Sequence, residues 1–516
     1  GLMNGTTTDP TVGGYIWSYV GAFFRLNYGY KGKYLAEVSG RYDGSSKFPT
    51  NSKWGFFPSA SVAWRVSEEP WMKWSEEWLD NFKIRLSAGS MGNGNVDPYS
   101  YTSEMTVVTA SDIVLGGGLP SYTTVGSTVP VSLTWEKSTT YDLGLDLDFL
   151  NNRLSFSGDY YRRYTTDMYT PSISLPSVYG TTSPKGNNAE LRTTGWELSF
   201  TWRDSFKLGG KPFDYSIKAM VWDNRTVVTK YENATRSLGT LKGYIQNGGS
   251  PSDFYEGMEL GEMWGYTVAG LFRDQADIDS SATHDFTQAS DKVTRPGQVK
   301  IADLDHNGNI DPGAFTADDH GDLSIIGNIN PHYMFGVNLA ANWNGIGLSV
   351  FLQGVMKRDW YPSPDSGYFW GKYARPFMWV LGIHNYTDDM YSEEKNNWDT
   401  AYWPRMTTYQ SNSSYSWTKL LEIPNTRYKQ NAAYLRVKNI QVDYTFPKAL
   451  CQKIRLGGLK IYLSGENLFT FTPLHKYAPN FDPEALGYDT DFSSTAGDGY
   501  TYPVLKSVTL GVNITF

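Results

Sequence analysis

The feature that most restricts what this chain can fold into is strict two-residue alternation, clearest in the closing stretch Val508 to Phe516. Val508, Leu510, Val512, Ile514 and Phe516 are apolar, while Thr509, Gly511, Asn513 and Thr515 are small or polar. Period two means a strand with one greasy face and one wet face. In a soluble sandwich the greasy face would meet a second sheet. In an outer-membrane barrel it would meet lipid, with Phe516 in an interfacial girdle. The strand alone leaves both open.

The same pattern recurs along the chain. Phe24, Leu26, Tyr28 and Tyr30 alternate, as do Tyr34, Ala36 and Val38, then Ala60, Val62, Trp64 and Val66, then Phe82, Ile84, Leu86 and Ala88. Tyr141, Leu143, Leu145, Leu147 and Phe149 face one way, and an Asn151-Asn152 turn returns through Leu154, Phe156 and Tyr160. A two-residue turn pairs Phe149 with Leu154, which puts both apolar sets on one face. Asn344-Gly345 is a second such turn, pairing Trp343 with Ile346. After Leu435 the apolar phase slips near Lys438-Asn439, which predicts a bulge.

Alternation gives about thirteen strands. Short connections fall at Lys31, Asn151 and Asn344, with moderate ones at Glu68–Asp80, Asp204–Pro212 and Pro447–Gly458. Long ones fall at Gly92–Glu136, Thr166–Arg192, Lys230–Asn330, Tyr361–Ala432 and Thr470–Tyr502. Short turns at one end and long loops at the other are the layout of an all-β, antiparallel up-and-down transmembrane barrel. A sandwich gives no reason for it. No run approaches the ~20 apolar residues of a spanning helix. The formal net charge of −8 argues against a nucleic-acid partner. The single Cys451 excludes a disulfide framework and reads as a lone buried thiol. No signal peptide is read at the start. Gly1 to Gly14 reads as loop interior, so the chain is expected to begin mid-fold.

Several segments carry a family resemblance. They include Arg41-Tyr42-Asp43-Gly44-Ser45-Ser46-Lys47-Phe48, Trp54-Gly55-Phe56-Phe57-Pro58-Ser59 and Leu133-Thr134-Trp135-Glu136-Lys137. Others are Asn151-Asn152-Arg153-Leu154, Thr194-Gly195-Trp196-Glu197, Gly265-Tyr266 with Gly270-Leu271-Phe272, Tyr434-Leu435-Arg436-Val437-Lys438-Asn439 and Ser464-Gly465-Glu466-Asn467-Leu468-Phe469. Together they resemble the SusC/RagA-type TonB-dependent transporters of Bacteroidota, over nearly the whole chain. The resemblance implies a signal, a coupling box, a plug and a barrel of about 22 strands. Residues 1–516 would then be the C-terminal part of the barrel. The plug and roughly nine strands would lie outside this chain, completing the wall. It also implies location in the outer membrane of a Gram-negative bacterium and energy from the TonB complex. The implied function is import of glycan or peptide fragments beneath a SusD-like surface lipoprotein. A soluble secreted glycan-binding protein and a siderophore or vitamin receptor on the same barrel are the alternatives.

Three groups of residues carry candidate chemistry. Asp303, Asp305, Asn307, Asn309 and Asp311 follow a calcium-loop spacing, with Gly308 at the tight turn and Asn309 offering its carbonyl. Ala314 stands where the bidentate acid belongs, and Asp318, Asp319 or Asp322 is the substitute. Bound Ca²⁺ competes evenly with an Asx-rich turn capped by its own side chains. The loop from Tyr361 to Trp417 is crowded with aromatics that either stack on cargo or build the loop's own core. Trp370, Trp398 and Trp403 are the ligand candidates. Asp142, Asp146, Asp148, Arg153, Asp159 and Arg162 read as one lumen-facing charge cluster. Trp64, Trp202 and Trp343 read as girdle residues. No catalytic set emerges: the six His are scattered, and no HExxH or GxSxG is present.

Overall fold

The computed structural model describes residues 16–102, 105–109, 117–125, 133–171, 185–240, 243–244, 248–284, 293–362, 366, 369, 389–405, 423–486 and 502–516. Among these, one sheet of 13 strands dominates. Its strands, in chain order, are β1 (Tyr19–Tyr30), β2 (Tyr34–Ser45), β3 (Trp54–Arg65), β4 (Leu79–Asn93), β5 (Glu136–Phe149), β6 (Leu154–Pro171) and β7 (Lys185–Leu208). They continue as β8 (Lys211–Lys230), β9 (His332–Trp343), β10 (Ile346–Lys357), β11 (Tyr434–Thr445), β12 (Gly458–Phe471) and β13 (Ser507–Thr515). Each strand pairs antiparallel with the next, so the sheet is a continuous meander.

The alternation read from the residues fixes the register. Phe149 faces Leu154 and Trp343 faces Ile346. The phase slip is a bulge, where the pairing jumps from Val437 to Asn439 against β12. The tight turns lie at one end. Lys31-Gly32, Asn151-Asn152, Gly209-Gly210 and Asn344-Gly345 all have positive φ at both residues. That backbone matches the right-handed strand twist, and Asn and Gly adopt it most readily. Gly345 has a second reason to lack a side chain: a Cβ there would stand 2.6 Å from the Thr445 carbonyl oxygen.

Two connections differ from their sequence reading. Asp204–Pro212 is no loop, because β7 and β8 stay paired down to Leu208 and Lys211. Asp204 interrupts the greasy phase there and hid the strand; it is held by an ion pair to Arg153. Likewise β6 and β7 remain paired out to Pro171 and Lys185, through register shifts after Thr165.

The greasy face has no second sheet packed on it among the described residues. Leu143, Leu463 and Leu510 on that face are 49, 52 and 72 % exposed. Aromatic residues border it at both ends. Trp64, Trp71, Trp74, Trp78 and Phe149 cluster at the tight-turn end, with ring contacts of 5.8–6.4 Å. Trp202 and Trp343 lie at the same end, bonded to Tyr215 and the Leu208 carbonyl.

At the other end the long connections fold together. Tyr266, Leu323, Trp360, Trp403, Tyr428 and Phe481 share one buried core, although they come from three separate loops. Short strand pairs stiffen it, Glu262–Tyr266 with Leu323–Asn328 and Val268–Leu271 with Val299–Ile301. A smaller cluster joins Phe48, Phe57, Leu133 and Trp135. Gly92 is needed beside it, since a Cβ would meet the Phe57 ring at 2.0 Å.

Candidate functional site

The wet face of the sheet is a wall of paired charges. Arg85 on β4 reaches Asp146 on β5 at 2.8 Å and Asp159 on β6 at 2.9 Å, and Lys83 lies 3.8 Å from Asp146. Ser157 donates to Asp146 at 2.9 Å, and Asn81 donates to Asp148 at 3.0 Å. Farther along the sheet Arg25 pairs with Glu37 and Arg41 with Asp43. Period two places all of these on one face, where they satisfy each other. Arg153 sits instead at the tight-turn end, over the Trp202 ring and paired with Asp204. Arg162 is a correction. It pairs opposite Tyr141 and Thr194 and shares the phase of Leu154, Phe156 and Tyr160, so it lies on the greasy face.

The loop core absorbs much of the aromatic crowding. Trp403 is 1 % exposed and packs against Phe369, Tyr402 and Tyr428 at 5.0–5.7 Å. Its ring faces are occupied by protein, which removes it as a stacking platform. Trp398 is half-buried against the same core. Trp370 lies outside the described residues. Tyr402 and Tyr477 stack at 3.6 Å, tying the Tyr361–Ala432 connection to the one after β12.

The Asp303–Asp311 loop closes much as its spacing predicts. Gly308, with φ of 85°, donates to Asp303 Oδ2 at 3.0 Å, and Asn307 N donates to Asp305 Oδ1 at 3.0 Å. Of the three candidate substitutes for the missing acid, Asp322 is the one brought in. Asp303, Asp305 and Asp322 carboxylates lie within 4.8 Å of one another. Asp322 is fully buried and accepts from Leu304 N at 2.6 Å and Asp311 N at 3.0 Å. Burial raises its pKa, and the charges of Asp305 and Asp303 add to the rise. Asp303 Oδ1 is buried and accepts no hydrogen bond. Asn307 turns its amide toward Asp305 and Asp311, at 3.0 and 3.4 Å. Asn309 pairs its backbone with Thr283, and Asp318 pairs with Arg236.

Sequence reading missed Glu262, which is 5 % exposed. It accepts from Tyr255 Oη, Trp264 Nε1 at 2.9 Å and Glu259 N at 3.3 Å. Burial lifts its pKa above the ordinary carboxylate value in spite of these donors. A carboxyl group whose pKa is raised by folding stabilises the fold below its unfolded pKa and loses that contribution as pH rises through the folded one. Glu262→Gln should therefore leave loop stability unchanged near pH 4 and raise it at about pH 7. Limited proteolysis at the two pH values measures this, and a variant cut faster at neutral pH would contradict it.

Residues 2–318 match the family described as TonB dependent receptor-like, beta-barrel. The chain belongs to the TonB-dependent receptor-like β-barrel family. TonB-dependent receptor P3 of Formosa agariphila is 28 % identical over 96 % of this chain and 45 % of its own length. TonB-dependent receptor SusC of Bacteroides thetaiotaomicron is 25 % identical over 96 % of this chain and 44 % of its own. The structure of the RagAB peptide transporter superposes with a TM-score of 0.68 at 20 % identity, covering 97 % of this chain and 48 % of that one. The chain thus spans about half the length of the relatives it matches. As part of a TonB-dependent receptor barrel, the greasy face is the outward, lipid-facing one and the wall of paired charges faces the lumen. The long loops then form a folded canopy over one mouth.

Proposed function

We propose that this chain forms part of the wall and canopy of an outer-membrane importer for nutrient oligomers, glycan or peptide fragments. Cargo is captured under a SusD-like surface lipoprotein resting on the canopy. It passes a plug that lies in the rest of the receptor, and the TonB complex supplies the energy. The observation that carries this reading is the pairing of an uncovered apolar face with a canopy that has its own core, Trp403 and Tyr428 at its centre. Such a canopy is rigid enough to seat a lid. The similarity to a SusC and to a peptide transporter supports both the partner and the cargo class. Trp398 and Trp370 remain the proposed cargo contacts. Co-purification of the complete receptor from native outer membranes in detergent, with mass spectrometry, tests the reading. The expected outcome is a surface lipoprotein and a bound oligomer. Recovery of the receptor in the aqueous fraction without detergent, or as particles free of any lipoprotein, would contradict it.

The reading includes Ca²⁺ in the Asp303–Asp311 loop, with Asp322 completing the ligand set. The buried Asp303 Oδ1 without a donor supports it, as do three carboxylates drawn to one point. A hard cation offsets that repulsion and takes oxygen ligands. It would clip the loop to the strand that follows Asp322. After chelation, calorimetry of the complete receptor should show Ca²⁺ uptake with a Kd of about 10⁻⁴–10⁻³ M or tighter. Asp322→Asn should abolish it. Absence of heat from the folded wild type would remove the ion from the account.

A further inference from the structure

The lipid-facing side carries charges that the barrel itself leaves unmatched. Arg162 on β6 stands directly opposite Thr194 on β7, and Thr194 stands opposite Arg225 on β8. One step farther out, Arg192 lies between Tyr164 and Val227. Period two puts all three arginines on the same face as Phe156 and Phe200. All three are exposed. Arg162 lies beside the tyrosines Tyr160 and Tyr164. Among the described residues, none of the three is paired with a carboxylate. The contrast is with Arg25, Arg41 and Arg85 on the wet face, each of which holds an acidic partner.

Their height decides what they can meet. Arg162 follows Leu154 in the same strand, and Leu154 starts β6 at the tight-turn end. At about 3.3 Å per residue and a tilt near 40°, it stands roughly 20 Å above that end. The apolar band of such a barrel is about 25 Å tall, so the row lies at its canopy-side edge. Tyr160, Trp196 and Tyr333 mark the same edge, the last two in ring contact at 6.5 Å. Arg162 itself lines a groove of about 730 Å³ that crosses β3 to β6 beside it, over Val62, Leu86, Tyr141, Leu143 and Tyr160.

We propose that Arg162, Arg192 and Arg225 form a shelf that binds the phosphorylated headgroup of an outer-leaflet glycolipid, with an acyl chain in the groove that Arg162 borders. This rests on the outer-membrane reading. Unmatched guanidinium groups at the edge of hydrocarbon need an anion, and their planar forks fit phosphate oxygens in pairs. Juxtamembrane cations on neighbouring elements are the general basis of anionic lipid recognition. An apolar groove ending at a cation fits a molecule that has both an acyl chain and a phosphate. A free phosphate ion would use only half of the feature.

The test reconstitutes the complete receptor into phosphatidylcholine vesicles containing a minor fraction of phosphorylated or of dephosphorylated lipid A. Vesicle flotation is read alongside the lipid retained after detergent extraction. Wild type should float and retain the phosphorylated glycolipid. The triple variant Arg162→Gln/Arg192→Gln/Arg225→Gln should float but retain at least roughly tenfold less. The triple Lys variant, which keeps charge and loses the fork, should fall between them and covers the case of a Gln variant that does not fold. Equal retention by a folded Gln variant, equal retention of the dephosphorylated lipid, or full displacement by millimolar inorganic phosphate would overturn the proposal. A wild type that does not float contradicts the membrane reading and this one with it. A wild type that floats without enriching the glycolipid contradicts this one alone.

Discussion

Arg436→Ala should release the loop between β12 and β13 from the canopy while leaving the barrel strands folded. Arg436 is 2 % exposed and sits on the lumen side of β11. Its guanidinium reaches Asp482 at 2.5 Å, Glu484 at 3.2 Å and Thr470 Oγ1 at 2.9 Å. Removing it leaves two acids, both mostly buried, with no cation of comparable reach; Lys438 touches only Glu484, at 2.7 Å. Breaking a buried ion pair from one side costs about 3–5 kcal/mol. The loop keeps a second anchor, because Arg358 donates to the carbonyls of Pro483 and Leu486 at 3.0 and 3.2 Å. The loss therefore falls on local opening of the loop. Amide hydrogen exchange over residues 473–486 should speed up by about a hundredfold or more. Arg436→Lys should restore only part of the protection, since one ammonium cannot bridge both carboxylates. Exchange unchanged within about threefold would contradict the assignment.

The second large effect belongs to Trp403. A fully buried Trp truncated to Ala costs about 3–5 kcal/mol. Trp403 takes the Phe369, Tyr402 and Tyr428 rings with it, so the cavity would open at the junction of the long loops. Trp403→Ala should make the canopy protease-sensitive even without cargo. Trp398→Ala should leave the canopy resistant and, as a proposed cargo contact, weaken uptake. Trypsin digestion of the complete receptor, with an uptake assay beside it, separates the two. A resistant canopy in Trp403→Ala with cargo uptake lost would return Trp403 to the role of ligand platform.

Local pattern carried most of the wall. The Phe149–Leu154 and Trp343–Ile346 registers, and the bulge at Lys438-Asn439, follow from side-chain period and turn chemistry within a few residues. Two of the three differences in the wall trace to a charged residue on the greasy phase, and the third, the extension of β6 and β7, to the register shifts after Thr165. Asp204 broke the alternation and hid the end of β7. Arg162 was grouped by its charge with Asp142 and Asp146, although its even number places it with Leu154 and Phe156. Phase was the better guide in both cases.

The canopy was less legible because its contacts are not local. Tyr266 donates its backbone N–H to the Pro424 carbonyl at 3.0 Å, and Thr426 donates back to Tyr266 at 3.0 Å, across a gap no periodicity spans. The same applies to the metal-like loop. Asp303 and Asp305 were visible from spacing, but the choice of Asp322 over Asp318 and Asp319 depended on a fold that turns Asp322 inward and leaves Asp318 on Arg236. The burial of Trp403 likewise depended on partners from other parts of the chain.

The central claim is that the apolar face of the sheet is solvated by acyl chains. Single cysteines placed along β13 at Thr509, Leu510, Val512, Asn513, Ile514 and Thr515, with Cys451 replaced by Ala, test it most directly. They would be spin-labelled in the complete receptor in native outer membranes. Labels at Leu510, Val512 and Ile514 should collide often with oxygen and rarely with a water-soluble nickel chelate, while labels at Thr509, Asn513 and Thr515 should not show that preference. Loss of the two-residue alternation, or apolar positions shielded from both reagents, would mean that protein rather than lipid covers that face.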